Sequence, residues 1–196
     1  MTVVLKDALA HRPLVAALQT PDPFSRMPRE LLILRHAKSD WDSAAGSDFE
    51  RPLAKRGKKD APRVGEWLYR EGVIPELVLS SPAQRARDTA LKVCKCLDVS
   101  KKDIIWAGDI YEAELRTLLA VLARVPADAQ VVLLVGHNPG LEELLRHLAG
   151  SDVDEPEDGK LLPTATLARL EMPDDWTQLA SGSASLIGLV RPRQLK

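Results

Sequence analysis

The sequence predicts an α/β domain with three αβα layers and a mainly parallel central sheet. Three observations carry that expectation. Short, wholly apolar runs recur along the chain, the mark of strands buried on both faces. Amphipathic helical stretches alternate with them. The resulting β-α-β-α order requires parallel strands joined by right-handed crossovers. The chain has 196 residues, 45% apolar and 28% charged, which suits one folded domain of ordinary globular composition.

The elements follow from Glu30 onward. Leu31–Leu34 reads as the first buried strand. Leu53–Arg70 reads as a helix, with Val64, Trp67 and Leu68 in its apolar stripe. Leu77–Leu79 is the next strand. Pro82 suits the first turn of a helix that continues over Ala83–Leu97. Ile104–Trp106 is a third short strand, and Glu112–Arg124 a third helix. Val131–Val135 is a β-branched strand, followed by a helix over Pro139–Ala149, with Asn138 as its cap. Thr164–Leu170 and Leu186–Val190 are the later strands. Residues 1–28 read as an N-terminal extension, with residues 29–196 forming the domain. Within the extension, Leu5–Leu18 could form one amphipathic helix, and Pro21, Pro23 and Pro28 break regular structure after it. The extension is a docking arm, a leader before a start at Met27, or an artefact of expression.

Charge and cysteine content narrow the function classes. Lysine plus arginine number 27 and aspartate plus glutamate 28, a net charge of -1. A generally basic nucleic-acid or membrane binder is disfavoured, although a local basic pocket is not. No apolar run approaches the ~20 residues that span a bilayer. Cys94 and Cys96, two apart on a helix, point in different directions and read as incidental. Scarce cysteine and the lack of a secretory signal pattern suit a reducing, cytoplasmic setting.

In open α/β sheets ligands bind beyond the carboxyl ends of the strands. Three strands end in chemistry-bearing residues: Arg35-His36, Ser80-Ser81-Pro82 with Arg85 one turn later, and Gly136-His137-Asn138. Arginine offers a rigid fork of donors that matches phosphate oxygens. Nearby cations disfavour imidazolium and so keep a histidine neutral and nucleophilic. Two histidines among arginines therefore suggest a phosphoryl acceptor. Gly57-Lys58 lacks the glycine spacing and the following Ser/Thr of a Walker loop. No Ser-His-Asp order is evident around Ser80 and Ser81, which read as turn-formers. No carboxylate cluster suggests a catalytic metal.

Several polar residues read as ordinary. His147, beside Arg146, suits a cation near a helix C-terminus. His11 lies in the extension. Ser39, Asp40 and Trp41 could line the mouth of a pocket. The acidic stretch Asp152–Asp158 lacks the glycine and spacing of an EF-hand and reads as a solvated loop.

LLILRHAKSDW at 31–41, RPLAKRG at 51–57, LSSPAQRARDTA at 79–90 and LLVGHNPGLE at 133–142 occur in order. Together they resemble the histidine phosphatase superfamily, and most closely its SixA-like phosphohistidine phosphatases. The resemblance spans Glu30 to Val190, with Ala37 where many relatives carry glycine. It implies a phosphoglycerate-mutase-like fold and a reaction needing neither metal nor organic cofactor. It implies that His36 is the nucleophile and that Arg35, Arg51 and Arg85 bind phosphate oxygens. His137 would be the second catalytic histidine. Glu112 falls, in motif order, where many members place a general acid, although SixA-like enzymes can lack one. The imidazole released from phosphohistidine has a pKa near neutrality, so it demands less acid assistance than an alcohol. The short connections predict an open site able to admit a phosphohistidine-bearing protein. The alternatives are a small phosphorylated metabolite as substrate, or a non-catalytic phosphate-binding module.

Overall fold

A computed structural model describes residues 28–150, 153 and 159–195. The expected helix Leu5–Leu18 lies outside the described residues, as does the acidic stretch Asp152–Asp158 apart from Val153. Strand β1 (Arg29–Arg35) is followed by α1 (Lys55–Arg70), β2 (Leu77–Ser80), α2 (Gln84–Cys96) and β3 (Ile104–Trp106). Then come α3 (Leu115–Leu122), β4 (Val131–Gly136), α4 (Gly140–Ala149), β5 (Leu167–Met172) and β6 (Ser185–Val190). One sheet has the order β3-β2-β4-β1-β5-β6. The β3–β2, β2–β4 and β4–β1 pairs are parallel. The β1–β5 and β5–β6 pairs are antiparallel.

The wholly apolar β1 feeds two cores at once. Leu31 and Ile33 pack with Leu118 and Leu122 of α3 and Leu141, Leu144 and Leu145 of α4. Leu32 and Leu34 point the other way, into Val64 and Leu68 of α1 and Ala86, Ala90 and Val93 of α2. Strand β4 alternates likewise, with Val132 and Leu134 on the first face and Leu133 and Val135 on the second. Each such buried side chain stabilises the fold by about 1.5–3 kcal/mol relative to exposure. Two helical layers against one sheet are the three-layer arrangement that the period-two burial demands.

Several boundaries differ from expectation. Helix α1 starts at Lys55 rather than Leu53, because Leu53 forms a β-bridge with Ser39. Pro82 precedes the α2 cap residue Ala83 instead of occupying the first turn. Helix α3 is shorter than Glu112–Arg124, since Glu112 adopts φ 49° in the turn before it. Pro139 occupies the cap position of α4, and the Asn138 side chain makes no cap bond. It bonds instead to Glu142 and to the Leu162 carbonyl. Strand β5 begins at Leu167, not Thr164.

Cys94 is buried and Cys96 half-buried, and burial pushes the Cys94 thiol up to about 11. His147 Nε2–H donates to the Leu179 carbonyl at 2.9 Å. No helix among the described residues is long and apolar enough to cross a membrane.

Candidate active site

Strands β2, β4 and β1 lie side by side, and their carboxyl ends open on one edge of the sheet. Ser81, His137 and His36 each follow one of these strands directly. Parallel pairing continues just past the strands: Ser81 N–H donates to Val135 O, and His36 N–H donates to Gly136 O, both at 3.0 Å. The sheet thus sets the two histidines beside each other, with ring centroids 5.1 Å apart.

The loop after β1 is braced from three sides. Ala37 N–H donates to Thr89 Oγ1 on α2, which in turn donates to the Arg85 carbonyl. Ala54 N–H donates to Lys38 O, and Asp40 N–H donates to Pro52 O. Gly57 lies so close to the Lys38 carbonyl that a Cβ would overlap it. The RPLAKRG stretch therefore works as a buttress for the loop carrying His36.

A cavity of about 280 Å³ opens at this edge. Its lining includes Arg35, His36, Arg51, Arg85, Glu112 and His137, the six residues singled out from the sequence. Trp41, Asp48 and Glu112 are exposed at its rim, while His36, Arg51, Arg85 and His137 are buried.

Burial, aided by Arg85, Arg35 and Arg51, lowers the His36 pKa to about 4, against a smaller upward pull from the Ala37 carbonyl. The imidazole is thus neutral at pH 7. Its Nδ1 lies 2.8 Å from the Ala37 carbonyl, which can only accept, so Nδ1 carries the proton. Nε2 is left with its lone pair.

Burial also lowers the His137 pKa, to about 3, with His36 and Arg85 adding to the effect and Asp48 opposing it. Its Nε2 lies 2.9 Å from Ser81 Oγ. That hydroxyl also accepts from Ala83 N–H, and its own proton is free to bond Nε2. With Ser81 as the donor, the His137 proton sits on Nδ1, which is buried without a hydrogen-bond partner. Nε of Arg35, of Arg51 and of Arg85 is likewise buried without one. A buried donor left unmade costs about 1–3 kcal/mol, and anionic oxygens are the ligand that would satisfy such a set.

Asp48 organises two of the arginines. Its carboxylate accepts from Arg51 at 2.6 Å and Arg85 at 2.9 Å, and from the Tyr111 hydroxyl at 3.1 Å. Its backbone carbonyl accepts a second bond from Arg85 at 2.7 Å. Burial would raise its pKa, but Arg85, Arg51 and Tyr111 outweigh that and hold it below the usual value. Arg51 is further fixed by a bond to Ser39 Oγ at 2.8 Å and by stacking 3.5 Å from the Trp41 ring centroid. Arg35 donates to the Leu162 carbonyl at 2.7 Å.

Asp48, Tyr111 and Ser81 were not identified as site residues from sequence. Asp48 stands three residues before Arg51, beside the RPLAKRG stretch, and that spacing was the available signal.

A family model described as the histidine phosphatase superfamily, branch 1, matches residues 31–105. A solved structure of SixA from Agrobacterium tumefaciens, a proposed phosphohistidine phosphatase, superposes with a TM-score of 0.72 at 29% identity. It covers 85% of this chain and 100% of its own. A second proposed phosphohistidine phosphatase SixA, from Nakamurella multipartitia, is 30% identical with a TM-score of 0.69, over 84% of this chain and 96% of its own. The chain belongs to the histidine phosphatase superfamily. It is SixA-like within it. An uncharacterized protein of Mycobacterium tuberculosis is 32% identical over 82% of this chain and 100% of its own length. An uncharacterized chloroplastic protein of Arabidopsis thaliana is 31% identical over 87% of this chain and 81% of its own. The histidine phosphatase family model spans Arg35, His36, Arg51 and Arg85; His137 lies beyond the matched segment and joins the site through β4.

Proposed function

We propose that this histidine phosphatase hydrolyses protein-borne phosphohistidine through a covalent intermediate on His36. The carrying observation is a neutral, buried imidazole with a bare Nε2, set among buried donors of three arginines and His137. Nε2 attacks phosphorus as the P–N bond to the substrate imidazole breaks. Arg35, Arg51, Arg85 and the Nδ1–H of His137 neutralise the non-bridging oxygens. The departing imidazole takes up a proton at near-neutral pKa. Water then cleaves the enzyme P–N bond and releases inorganic phosphate.

The phosphohistidine assignment is supported by the two SixA proteins at 29% and 30% identity. The exposed rim residues Trp41 and Asp48 suit a substrate approaching on a protein surface. One observation favours a second reading, a phosphomonoesterase for small molecules. Glu112 lines the pocket, held at φ 49°, where it could protonate an alcohol leaving group.

Hydrolysis of a phosphohistidine-bearing protein, compared with a sugar phosphate, tests the proposal. It expects preferential release from phosphohistidine, abolished in His36→Ala and little changed in Glu112→Gln. Preference for the sugar phosphate, with dependence on Glu112, would move the protein to the second reading.

A further inference from the structure

A second and larger cavity, of about 450 Å³, adjoins the catalytic pocket. Arg35, Lys38 and Thr164 line both. The second cavity is bounded by Arg35, Lys38, Arg56, Lys160, Arg191 and Arg193. Asp60 is the one carboxylate among its described lining residues, and it pairs with Arg56 at 3.2 Å. Six cations facing one acid stand out in a chain whose net charge is -1. Walls of one sign focus the field into a cleft and draw in the opposite charge.

The cations come from separate parts of the fold, and Arg35, Arg56 and Arg191 are held by hydrogen bonds. Arg56, on α1, donates to Thr164 Oγ1 at 3.1 Å. Arg191, after β6, donates to the Lys160 carbonyl at 3.0 Å. Thr166 lines the same cavity, and its fully buried hydroxyl has no hydrogen-bond partner. A buried polar atom left unmatched within a cationic cavity points to a ligand carrying oxygens.

We infer that this cavity binds a second anionic group, a carboxylate or a phosphate, carried by the same substrate whose phosphoryl group meets His36. The shared wall of Arg35, Lys38 and Thr164 places that group next to the reacting phosphoryl. The inference rests on the pocket of His36 being the phosphatase site. On the phosphohistidine reading, the second anion is an aspartate or glutamate near the phosphohistidine of the partner. On the small-molecule reading, it is a second phosphate.

Two substrate pairs and one variant test this. The first pair is a phosphohistidine peptide flanked by aspartates and its alanine-flanked counterpart. The second is a sugar bisphosphate and the matching monophosphate. The variant is Lys160→Glu/Arg193→Glu, at two exposed positions. The expected result is at least about a tenfold preference in kcat/KM for the more anionic member of one pair. The preference shrinks below about threefold in the variant, and with added salt, which screens exposed charges. Taking the ratio within a pair removes any general loss of active enzyme. Preference in the peptide pair assigns the anion to acidic side chains; preference in the sugar pair assigns it to a second phosphate. Turnover without preference in either pair, or a preference that survives charge reversal, would overturn the inference and leave the reaction at His36 standing. No turnover of any of the four would overturn the phosphatase reading and the inference with it.

Discussion

His36 and His137 are both neutral, yet they are poised for different tasks. The Ala37 carbonyl fixes the proton of His36 on Nδ1 and frees Nε2 to attack. Ser81 holds Nε2 of His137, and with Ser81 as the donor the buried Nδ1–H is left to bond a ligand. The two histidines and Arg35, Arg51 and Arg85 could be picked out in the sequence because they sit in ordered motifs, all but Arg51 at strand ends or within a few residues of one. Asp48 was not, because it lies in a loop with no periodicity and acts through Arg51, Arg85 and Tyr111, brought from three places in the chain. It is a positioning residue, bonded to Arg51 and Arg85. Asp48→Asn removes a charge that competes with phosphate but also loosens both arginines. We therefore expect kcat to fall about tenfold while affinity for inorganic phosphate is kept or improved. Steady-state kinetics with product inhibition reads both values. A parallel loss of phosphate affinity would mean that Asp48 builds the ground-state binding site instead.

At the scale of elements, buried strands were easier to read than helix ends. Leu31–Leu34 and Val131–Val135 are apolar because both their faces are covered, and such runs mark strands from composition alone. The starts of α1 and α3 depended on tertiary partners. Leu53 is drawn from the helix by its bridge to Ser39, and Glu112 by the turn that leaves it at the pocket rim. The RPLAKRG stretch holds a packing requirement beside Arg51: Gly57 is needed for the close approach of α1 to Lys38. Gly57→Ala puts a methyl group against a backbone carbonyl that cannot swing away. We expect it to cost about 1–3 kcal/mol of stability. Because Lys38 lies two residues after His36, kcat should fall as well. Thermal melts and turnover measured together check this; unchanged values in both would show that the loop is not braced by α1.

The whole molecule carries the cost of its site in its response to pH. Unfolded histidines titrate near 6.5, whereas the folded values are about 4 for His36 and about 3 for His137. Between those limits the unfolded chain binds more protons than the native one. Stability therefore rises with pH across that window, and falls as pH drops from about 6.5 toward 4. The melting temperature should drop more between pH 7 and 5 in the native protein than in His36→Gln/His137→Gln, which has lost both titrating groups. An equal drop in the two would show that the histidines are not held neutral by burial. The same neutrality keeps Nε2 of His36 nucleophilic throughout the physiological range. The central claim is a phosphoryl group on that atom. Rapid acid-free quenching during turnover of a phosphohistidine substrate, followed by peptide mass spectrometry, looks for it directly. The account predicts an acid-labile, alkali-stable phosphate on His36 that is absent from His36→Ala. A phosphate found on another residue, or turnover retained in His36→Ala, would contradict it.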